Sequence, residues 1–214
     1  MGGAKKPFLH LAGEYVLVRA LRPFLSDSRV VSVVVALASD DARDPPSWLT
    51  GLDPRVRVVA GGATRGESVA CCLAALPPDL DVIAVHDAAR PLVLESVVRR
   101  CFDLAANGVG AVAGSPAVDT MKVVDGEAFI ESTPERARLW HAHTPQTFPA
   151  AALRAAYAAA GQAATDDAAL VETQGIRVRM VDDGGVNPKI TRPGDLAIGE
   201  AVLLQRSGRA GDAS

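Results

Sequence analysis

The sequence predicts an α/β fold in which a mostly parallel β-sheet is flanked by helices. Apolar runs rich in valine have the length of strands that are covered on both faces, and they alternate with stretches in which apolar residues recur at helical spacing. Polar side chains and glycines gather where these runs end, as they do around ligands at the carboxyl ends of parallel strands. The predicted strands cover residues 29–38, 56–60, 81–85, 109–114 and 176–181, and the predicted helices cover residues 14–25, 68–76, 94–106, 150–160 and 193–205.

The length and charge of the chain indicate a single domain. A chain of 214 residues is long enough for one α/β domain with a modest insertion, whereas two full domains would be cramped. We expect the domain to span residues 1–206 and residues 207–214 to form a flexible tail. The formal net charge is −3, and no stretch gathers basic residues around aromatic ones, which argues against a nucleic-acid partner.

The lengths of the apolar runs and the positions of the cysteines indicate where in the cell the protein is located. No apolar run approaches the length of a membrane span, and the first residues lack the apolar centre of a signal peptide. Cys71, Cys72 and Cys101 fall in helical patterns, and we interpret them as small buried apolar residues rather than a disulfide framework. The sequence therefore predicts a cytoplasmic protein without a membrane segment.

The strand at residues 81–85 ends in two polar residues, His86 and Asp87, and Arg90 follows three positions later. A carboxylate at this position could hold a hydrated divalent metal, and the planar guanidinium of Arg90 suits a forked contact to a phosphate. Alternatively, Asp87 and Arg90 merely bridge each other across a turn. The segment alone favours neither interpretation.

Two glycine-rich stretches could contact a nucleotide. Residues 61–68 join a strand to a helix, and Thr64 and Glu67 have the spacing of a capping box. The paired glycines of this loop would let a flat ligand lie against bare backbone, and Ser68 could bond a base edge. Residues 2–6 resemble the end of a phosphate-binding loop, although no strand precedes them.

Residues 116–130 predict a β-hairpin around the tight-turn pair Asp125-Gly126. A hairpin that projects from a sheet has nothing of its own to pack on, so we expect this arm, about residues 116–148, to reach a partner subunit. Trp140 and Phe148 are interpreted as anchors of the arm on the core. His141 and His143 could suit a metal, but no third ligand is close in sequence.

The last predicted strand, residues 176–181, has the alternating pattern of an edge strand. Lys189 follows it and would point over the rim of the sheet if this strand lay beside the strand at residues 81–85. Asp166 and Asp167 are explained by the start of a helix, where acidic side chains are favourable.

Five blocks of sequence occur in order along the chain: Gly61–Val69, His86–Pro91, Asp119–Lys122, Leu139–Gln146 and Lys189–Thr191. Together they resemble the 2-C-methyl-D-erythritol 4-phosphate cytidylyltransferase family of the non-mevalonate isoprenoid pathway, and the likeness covers nearly the whole chain. Related pentitol-phosphate cytidylyltransferases share several blocks. The resemblance implies a Rossmann-like fold and a homodimer, and a reaction of CTP with the sugar-alcohol phosphate in the presence of Mg²⁺ that releases pyrophosphate.

The resemblance also implies roles for individual residues. Lys6 and Lys189 would be catalytic at the α-phosphate, and Asp87 is the candidate metal ligand. The residues implied to contact the sugar-alcohol phosphate are Asp87, Arg90, Thr120, Arg136 and Thr144, of which Thr120 and Arg136 would come from the arm of the neighbouring subunit. The residues implied to contact the nucleotide are Gly2, Gly3, Gly61, Gly62, Ala63 and Ser68.

The sequence departs from the family pattern in two places. The first strand of the family and the start of its phosphate loop, which includes an arginine, are not found ahead of Met1. Without that strand we expect the neighbouring valine-rich strands to have unpaired edges. We therefore expect the true start of the protein to lie upstream of Met1, and reading the upstream DNA tests this expectation. Pro188 stands where the family usually has isoleucine, which would stiffen the approach to Lys189. Two alternatives stay open: a cytidylyltransferase for another polyol phosphate such as ribitol 5-phosphate, and a truncated, non-catalytic nucleotide-binding relative.

Overall fold

The computed structural model describes residues 6–160 and 166–211 of the chain. Within these ranges helices and strands alternate, which confirms the α/β class. The helices are α1 (Val16–Leu25), α2 (Ser39–Arg43), α3 (Ser47–Thr50), α4 (Arg65–Ala75), α5 (Glu95–Ala106), α6 (Ala150–Ala160), α7 (Asp167–Glu172) and α8 (Pro193–Gly211). The strands are β1 (His10–Leu11), β2 (Glu14–Tyr15), β3 (Val33–Leu37), β4 (Val56–Ala60), β5 (Val82–Val85), β6 (Gly110–Pro116), β7 (Val123–Val124), β8 (Ile130–Ser132), β9 (Trp140–Pro149) and β10 (Val178–Asp182).

Four strands of the described residues form a mixed sheet in the order β10-β6-β9-β5. β10 is parallel to β6, whereas β9 runs antiparallel to both β5 and β6. β3 and β4 form a separate parallel pair. β10 therefore lies at an edge, as its alternating sequence predicts.

The prediction that β5 lies inside a parallel sheet is wrong. β5 pairs with the antiparallel strand β9, and on its other side the described residues supply no partner strand. Residues 133–148 are predicted as the return of the arm. In the structure residues 140–148 of this run belong to β9, and the side chains of Thr144, Gln146 and Thr147 are buried in the sheet. Because these residues are polar, the sequence lacks the apolar pattern by which a buried strand is predicted.

A cavity of about 910 Å³, which we call the slot, lies between β3 and β5. The odd-numbered residues of β3 bond to β4, and the odd-numbered residues of β5 bond to β9. The backbone groups of Val34 and Ala36 on one side and of Val82 and Ala84 on the other therefore face the slot. Within the described residues these edges have no strand partner.

The hydrophobic core covers both faces of the mixed sheet. On one face Val112 and Phe148 pack with Leu153 of α6 and Val171 of α7. On the other face Ala111, Ala113 and Val181 pack with α1 and α5. Successive residues of β6 thus serve opposite faces, as the two-residue period of a strand requires.

The predicted start of α4 is confirmed. The backbone N–H of Glu67 donates to Oγ1 of Thr64 at 3.1 Å, and the N–H of Thr64 donates to Oε2 of Glu67 at 3.2 Å. This reciprocal pair satisfies two of the free donors at the helix start. At the other end of the chain, α8 extends to Gly211, beyond the predicted end at Gln205.

The hairpin of the arm is confirmed, because β7 and β8 pair antiparallel on either side of Asp125-Gly126. Of the two predicted anchors, Phe148 is fully buried in the core, whereas Trp140 is 38% exposed. The prediction for Trp140 is therefore wrong. The prediction for the cysteines is also wrong in part, since Cys101 is buried but Cys71 is exposed and Cys72 is only partly covered. Among the described residues, no helix combines the length and apolar character needed to cross a bilayer.

Gly114 is predicted to be essential for the β6–β9 pairing. The register of this pair shifts between Val112 and Gly114, and a Cβ at position 114 would overlap the backbone carbonyl oxygen of His141. Backbone cannot move aside as a flexible side chain can, so Gly114→Ala should lower the free energy of unfolding by about 1–3 kcal/mol. Urea titration measures this loss. Gly126→Ala is the control, because nothing lies within 4 Å of its added Cβ; equal unfolding midpoints for the two variants would contradict the prediction.

Candidate active site

Three positive side chains from separate parts of the chain converge on the carboxylate of Asp87. Lys189 Nζ lies 2.9 Å from Oδ2, Arg90 Nε lies 3.6 Å from Oδ2, and Arg65 Nε lies 3.4 Å from Oδ1. Arg65 follows β4 and Asp87 follows β5, so the carboxyl ends of both strands meet at one rim, where open α/β sheets bind ligands. The bridge between Asp87 and Arg90 exists, but it is only one of three contacts.

The turn that carries Asp87 is fixed by Thr144. The N–H of Asp87 donates to Oγ1 of Thr144 at 3.0 Å, and the same oxygen lies 2.9 Å from Nδ1 of His86. Nε2 of His86 lies 3.0 Å from the carbonyl oxygen of Arg90. Because a carbonyl only accepts, Nε2 carries the proton and Nδ1 accepts from the Thr144 hydroxyl. The hydroxyl is therefore both donor and acceptor, which leaves the turn little freedom.

Lys189 reaches Asp87 by a different route from the one the sequence suggests. β10 lies beside β6, and both β6 and β9 separate it from β5. The premise that the last strand neighbours the strand at residues 81–85 is therefore wrong. The loop after β10 returns to the rim and is held on both sides of Lys189. Nδ2 of Asn187 donates to the Thr144 carbonyl at 3.0 Å, Nη1 of Arg90 donates to the Asn187 carbonyl at 2.7 Å, and the N–H of Ile190 donates to the Ala89 carbonyl at 2.8 Å.

The charges of the cluster keep Asp87 ionised. Burial raises the pKa of Asp87, but the hydrogen bond and charge of Lys189, followed by the charges of Arg65 and Arg90, bring this pKa below its usual value. Burial lowers the pKa of Arg90, although a guanidinium stays protonated in proteins. The rim thus holds three cations around one anion, and an incoming phosphate would meet an excess of positive charge.

The loop at residues 61–64 follows the carboxyl end of β4 and leads into α4, as the turn with Asp87 follows the carboxyl end of β5. Gly62 and Ala63 are exposed, and a Cβ on Gly62 would overlap the side chain of Glu67. Ser68 Oγ accepts from the N–H of Gly62 at 3.2 Å and lies 2.9 Å from the Thr64 carbonyl oxygen. The glycine therefore allows a close turn, and Ser68 holds the shape of the loop.

The remaining predicted residues divide into two groups. Gly2 and Gly3 and the side chain of Lys6 lie outside the described part of the structure, so their roles stay predictions. Thr120 and Arg136 lie on the arm, and both are exposed. Arg136 Nη1 donates to the carbonyl oxygen of Val118 at 2.8 Å, so its guanidinium stays close to the arm backbone.

A magnesium ion at this rim would take most of its ligands from a substrate, because both oxygens of Asp87 already contact cations. Mg²⁺ prefers oxygen and is commonly held by one or two carboxylates together with substrate phosphates and water. Asp87 offers such a carboxylate, 15% exposed at its side chain. The described residues contain no group of three metal-binding side chains, and His143 instead pairs with Asp183, whose Oδ2 lies 2.7 Å from Nδ1.

Comparison with known proteins identifies the family. Residues 1–205 match the sequence model of the IspD family, 2-C-methyl-D-erythritol 4-phosphate cytidylyltransferase. The chain belongs to this family. The enzyme of that name from Saccharopolyspora erythraea is 44% identical over 94% of this chain and 92% of its own length. The one from Acidobacterium capsulatum is 39% identical over 95% of this chain and 89% of its own length.

Solved structures of IspD family members share the fold. The crystal structure of 2-C-methyl-D-erythritol 4-phosphate cytidylyltransferase from Thermus thermophilus superposes with a TM-score of 0.79, at 35% identity over 94% of each chain. That of 4-diphosphocytidyl-2C-methyl-D-erythritol synthase from Anaerococcus prevotii gives a TM-score of 0.84, at 25% identity over 95% of this chain and 92% of that chain. These likenesses agree with the Rossmann-like fold expected from the sequence.

Sequence reasoning missed several residues that shape this IspD site. Arg65 is one of the three cations at Asp87, Asn187 fixes the Lys189 loop, and Asp167 bonds Arg65. Arg65 and Asn187 stand inside or next to recognised motifs, so their position was a usable signal. Asp167 carried none, because an acidic residue at a helix start already has a sufficient explanation.

His86 should make the protein less stable in mild acid. Burial lowers the pKa of His86 from 6.5 to about 4, so the unfolded chain binds a proton at a pH where the folded protein does not. This contribution is complete above pH 6.5 and falls by up to about 3 kcal/mol as the pH drops towards 4. NMR titration of the His86 ring measures it directly, and a midpoint near 6.5 would contradict the prediction. Urea unfolding of wild type and His86→Gln between these pH values measures the free energy of unfolding. This free energy should fall more steeply with decreasing pH in wild type than in His86→Gln.

Proposed function

We propose that this protein transfers CMP from CTP to 2-C-methyl-D-erythritol 4-phosphate, which gives 4-diphosphocytidyl-2-C-methyl-D-erythritol and pyrophosphate in isoprenoid precursor biosynthesis. The observation that carries the proposal is the convergence of Lys189, Arg90 and Arg65 on Asp87 in a member of the IspD family. Two phosphorylated reactants repel each other, and a rim with three cations is suited to reduce that repulsion.

The reaction needs no general base in the protein. The attacking group is a phosphate monoester, whose second pKa near 6 leaves it anionic at neutral pH. Its oxygen forms a bond to the α-phosphorus of CTP while the bond from that phosphorus to the pyrophosphate oxygen breaks. The obstacle is charge on the five-coordinate phosphorus, which fixed cations stabilise. In our proposal Lys189 contacts the α-phosphate, together with Lys6.

Asp87 and Arg90 would serve the second substrate and the metal. Arg90 is held by the Asn187 carbonyl at 2.7 Å, and its remaining donors suit a forked contact to the phosphate of the sugar alcohol. A bound Mg²⁺ would supply charge neutralisation on the triphosphate, and Asp87 is the proposed protein ligand. Gly61, Gly62, Ala63 and Ser68 form the proposed contact to cytosine. Because the chain carries free thiols, we also propose a cytoplasmic location.

Lys189→Ala is the primary test. Loss of one preorganised cation typically costs about 3 kcal/mol of transition-state stabilisation, so we expect turnover to fall roughly a hundredfold. Lys189 is 44% exposed, and Asp87 keeps Arg65 and Arg90, so the fold should survive. Pyrophosphate release from CTP with 2-C-methyl-D-erythritol 4-phosphate or ribitol 5-phosphate measures both rate and substrate choice.

The control for this test is Arg99→Ala, which removes an exposed cation paired with Glu95 on α5 and should leave turnover unchanged. A normal rate for Lys189→Ala would remove Lys189 from the mechanism. Faster turnover of ribitol 5-phosphate would favour the alternative polyol substrate. No pyrophosphate from the wild-type chain with either substrate would favour a non-catalytic nucleotide-binding protein.

We propose in addition that the protein acts as a homodimer through its arm. Large apolar side chains of the arm face solvent, including Val118 at 74% and Phe129 at 67% exposure. Exposed apolar side chains clustered on one projecting element are typical of an interface. Thr120 and Arg136 on the same arm would then complete the neighbouring subunit's site.

Mixing two inactive variants tests the shared site. If Arg136 serves the partner, then in a heterodimer of Arg136→Ala and Lys189→Ala one of the two sites keeps both residues intact. Random exchange of equal amounts makes about half of the dimers mixed, so about a quarter of the wild-type activity should return. Analytical ultracentrifugation confirms that dimers are present. Activity that does not exceed the average of the two variants would contradict a shared site.

A further inference from the structure

Asp167 is a buried carboxylate that the proposed reaction does not use. It is the first residue of α7, and its side chain has no exposed surface. Its two oxygens have different partners: Nη2 of Arg65 lies 2.7 Å from Oδ2, and the hydroxyl of Tyr157 lies 2.5 Å from Oδ1. A buried carboxylate of this kind is costly unless both charge and hydrogen bonds are supplied, and here Arg65 and Tyr157 supply them.

Arg65 connects this carboxylate to the rim. While Nη2 bonds to Asp167, Nε reaches Oδ1 of Asp87 at 3.4 Å. Burial lowers the pKa of Arg65, but the bond to Asp167 and the charges of both carboxylates outweigh this effect and raise it. The guanidinium of Arg65 therefore lies between two carboxylates, and its contact with the buried Asp167 is the shorter one.

The start of α7, which carries Asp167, is bonded to β9, one of the two interior strands of the sheet. Gln146 of β9 accepts the N–H of Ala168 at 3.0 Å through Oε1, and its Nε2 donates to Asp166 at 2.5 Å. Gln146 therefore joins the start of α7 to β9. Contacts thus run from β9 to the start of α7, and from Asp167 of α7 through Arg65 to Asp87.

We propose that Asp167, assisted by Tyr157, is a positioning residue that holds Arg65 on one oxygen of Asp87 and so leaves the other oxygen to Lys189. A free arginine beside a carboxylate prefers the forked geometry in which two N–H groups bond both oxygens. Arg65 released from Asp167 would adopt that geometry and displace Lys189 from its 2.9 Å contact. Asp167 prevents this by occupying one arm of the fork. The inference rests on the role proposed above for Lys189.

Asp167→Asn tests the proposal, because it keeps the shape of the side chain and removes its charge. Misplacement of a catalytic group by a distant change can cost up to about a hundredfold, so we expect kcat to fall between about tenfold and a hundredfold. The KM for CTP should change little, since the loop at residues 61–64 is untouched. Tyr157→Phe, a milder change that retains the carboxylate, should lower kcat in the same direction by a smaller factor, and it keeps the proposal testable if Asp167→Asn folds poorly.

Asp27→Asn is the matched control. Asp27 is also a buried aspartate, with Oδ2 2.8 Å from Nη2 of Arg29, but it lies between α1 and β3, at the opposite end of β3 from the rim. It should lose thermal stability much as Asp167→Asn does and retain kcat. A fall in kcat that is equal for the two variants would reduce Asp167 to a structural role and overturn the proposal.

A double-mutant cycle with Lys189→Ala identifies the route. If Asp167 acts through Lys189, then Asp167→Asn should slow wild type but leave the Lys189→Ala enzyme no slower, a non-additive result. Additive losses would overturn the proposal. A lowered rate for Lys189→Ala with a normal rate for Asp167→Asn would overturn this inference alone. A normal rate for Lys189→Ala would overturn the proposed role of Lys189 first, and this route with it.

Discussion

The site depends on one ionised carboxylate that is shared by three cations. Asp87 stands where β5 ends, and residues from α4, from its own turn and from the loop after β10 all point to it. Arg65, Arg90 and Lys189 would repel one another without this anion between them. The carboxylate therefore assembles the positive charge before any substrate binds, and preorganised charge needs no rearrangement during the reaction.

Much of the fold follows from local sequence. Valine-rich runs, helical spacing and the capping box at Thr64 predicted β4, α1 and α4 close to their observed bounds, whereas β3 begins four residues later than predicted. The order of the strands did not follow. β9 pairs between β5 and β6 although its covered half, Thr144–Phe148, contains only one large apolar side chain. Hydrogen bonds satisfy the side chains of Thr144 and Gln146 inside the sheet.

Those residues of the candidate site that lie in a recognisable motif and carry a suitable chemical group could be predicted from the sequence. Asp87, Arg90, Thr144 and Lys189 lie together, although the reason first considered for Lys189, a neighbouring strand, was wrong. Asp167 was not predictable, since its meaning comes from a contact to Arg65 across 102 positions of sequence. Long-range pairing of this kind leaves no local pattern, and only the folded arrangement reveals it.

The slot lies between the strands that lead to the loop after β4 and to the carboxylate after β5. Among the described residues no backbone hydrogen bond crosses from β3 to β5, so these two strands share no ladder there. Arg65 spans the distance at the rim, because it belongs to α4 and contacts Asp87. In the proposed reaction a nucleotide that touched both the loop and the carboxylate would add a second connection between them, and part of its binding energy would go into that alignment.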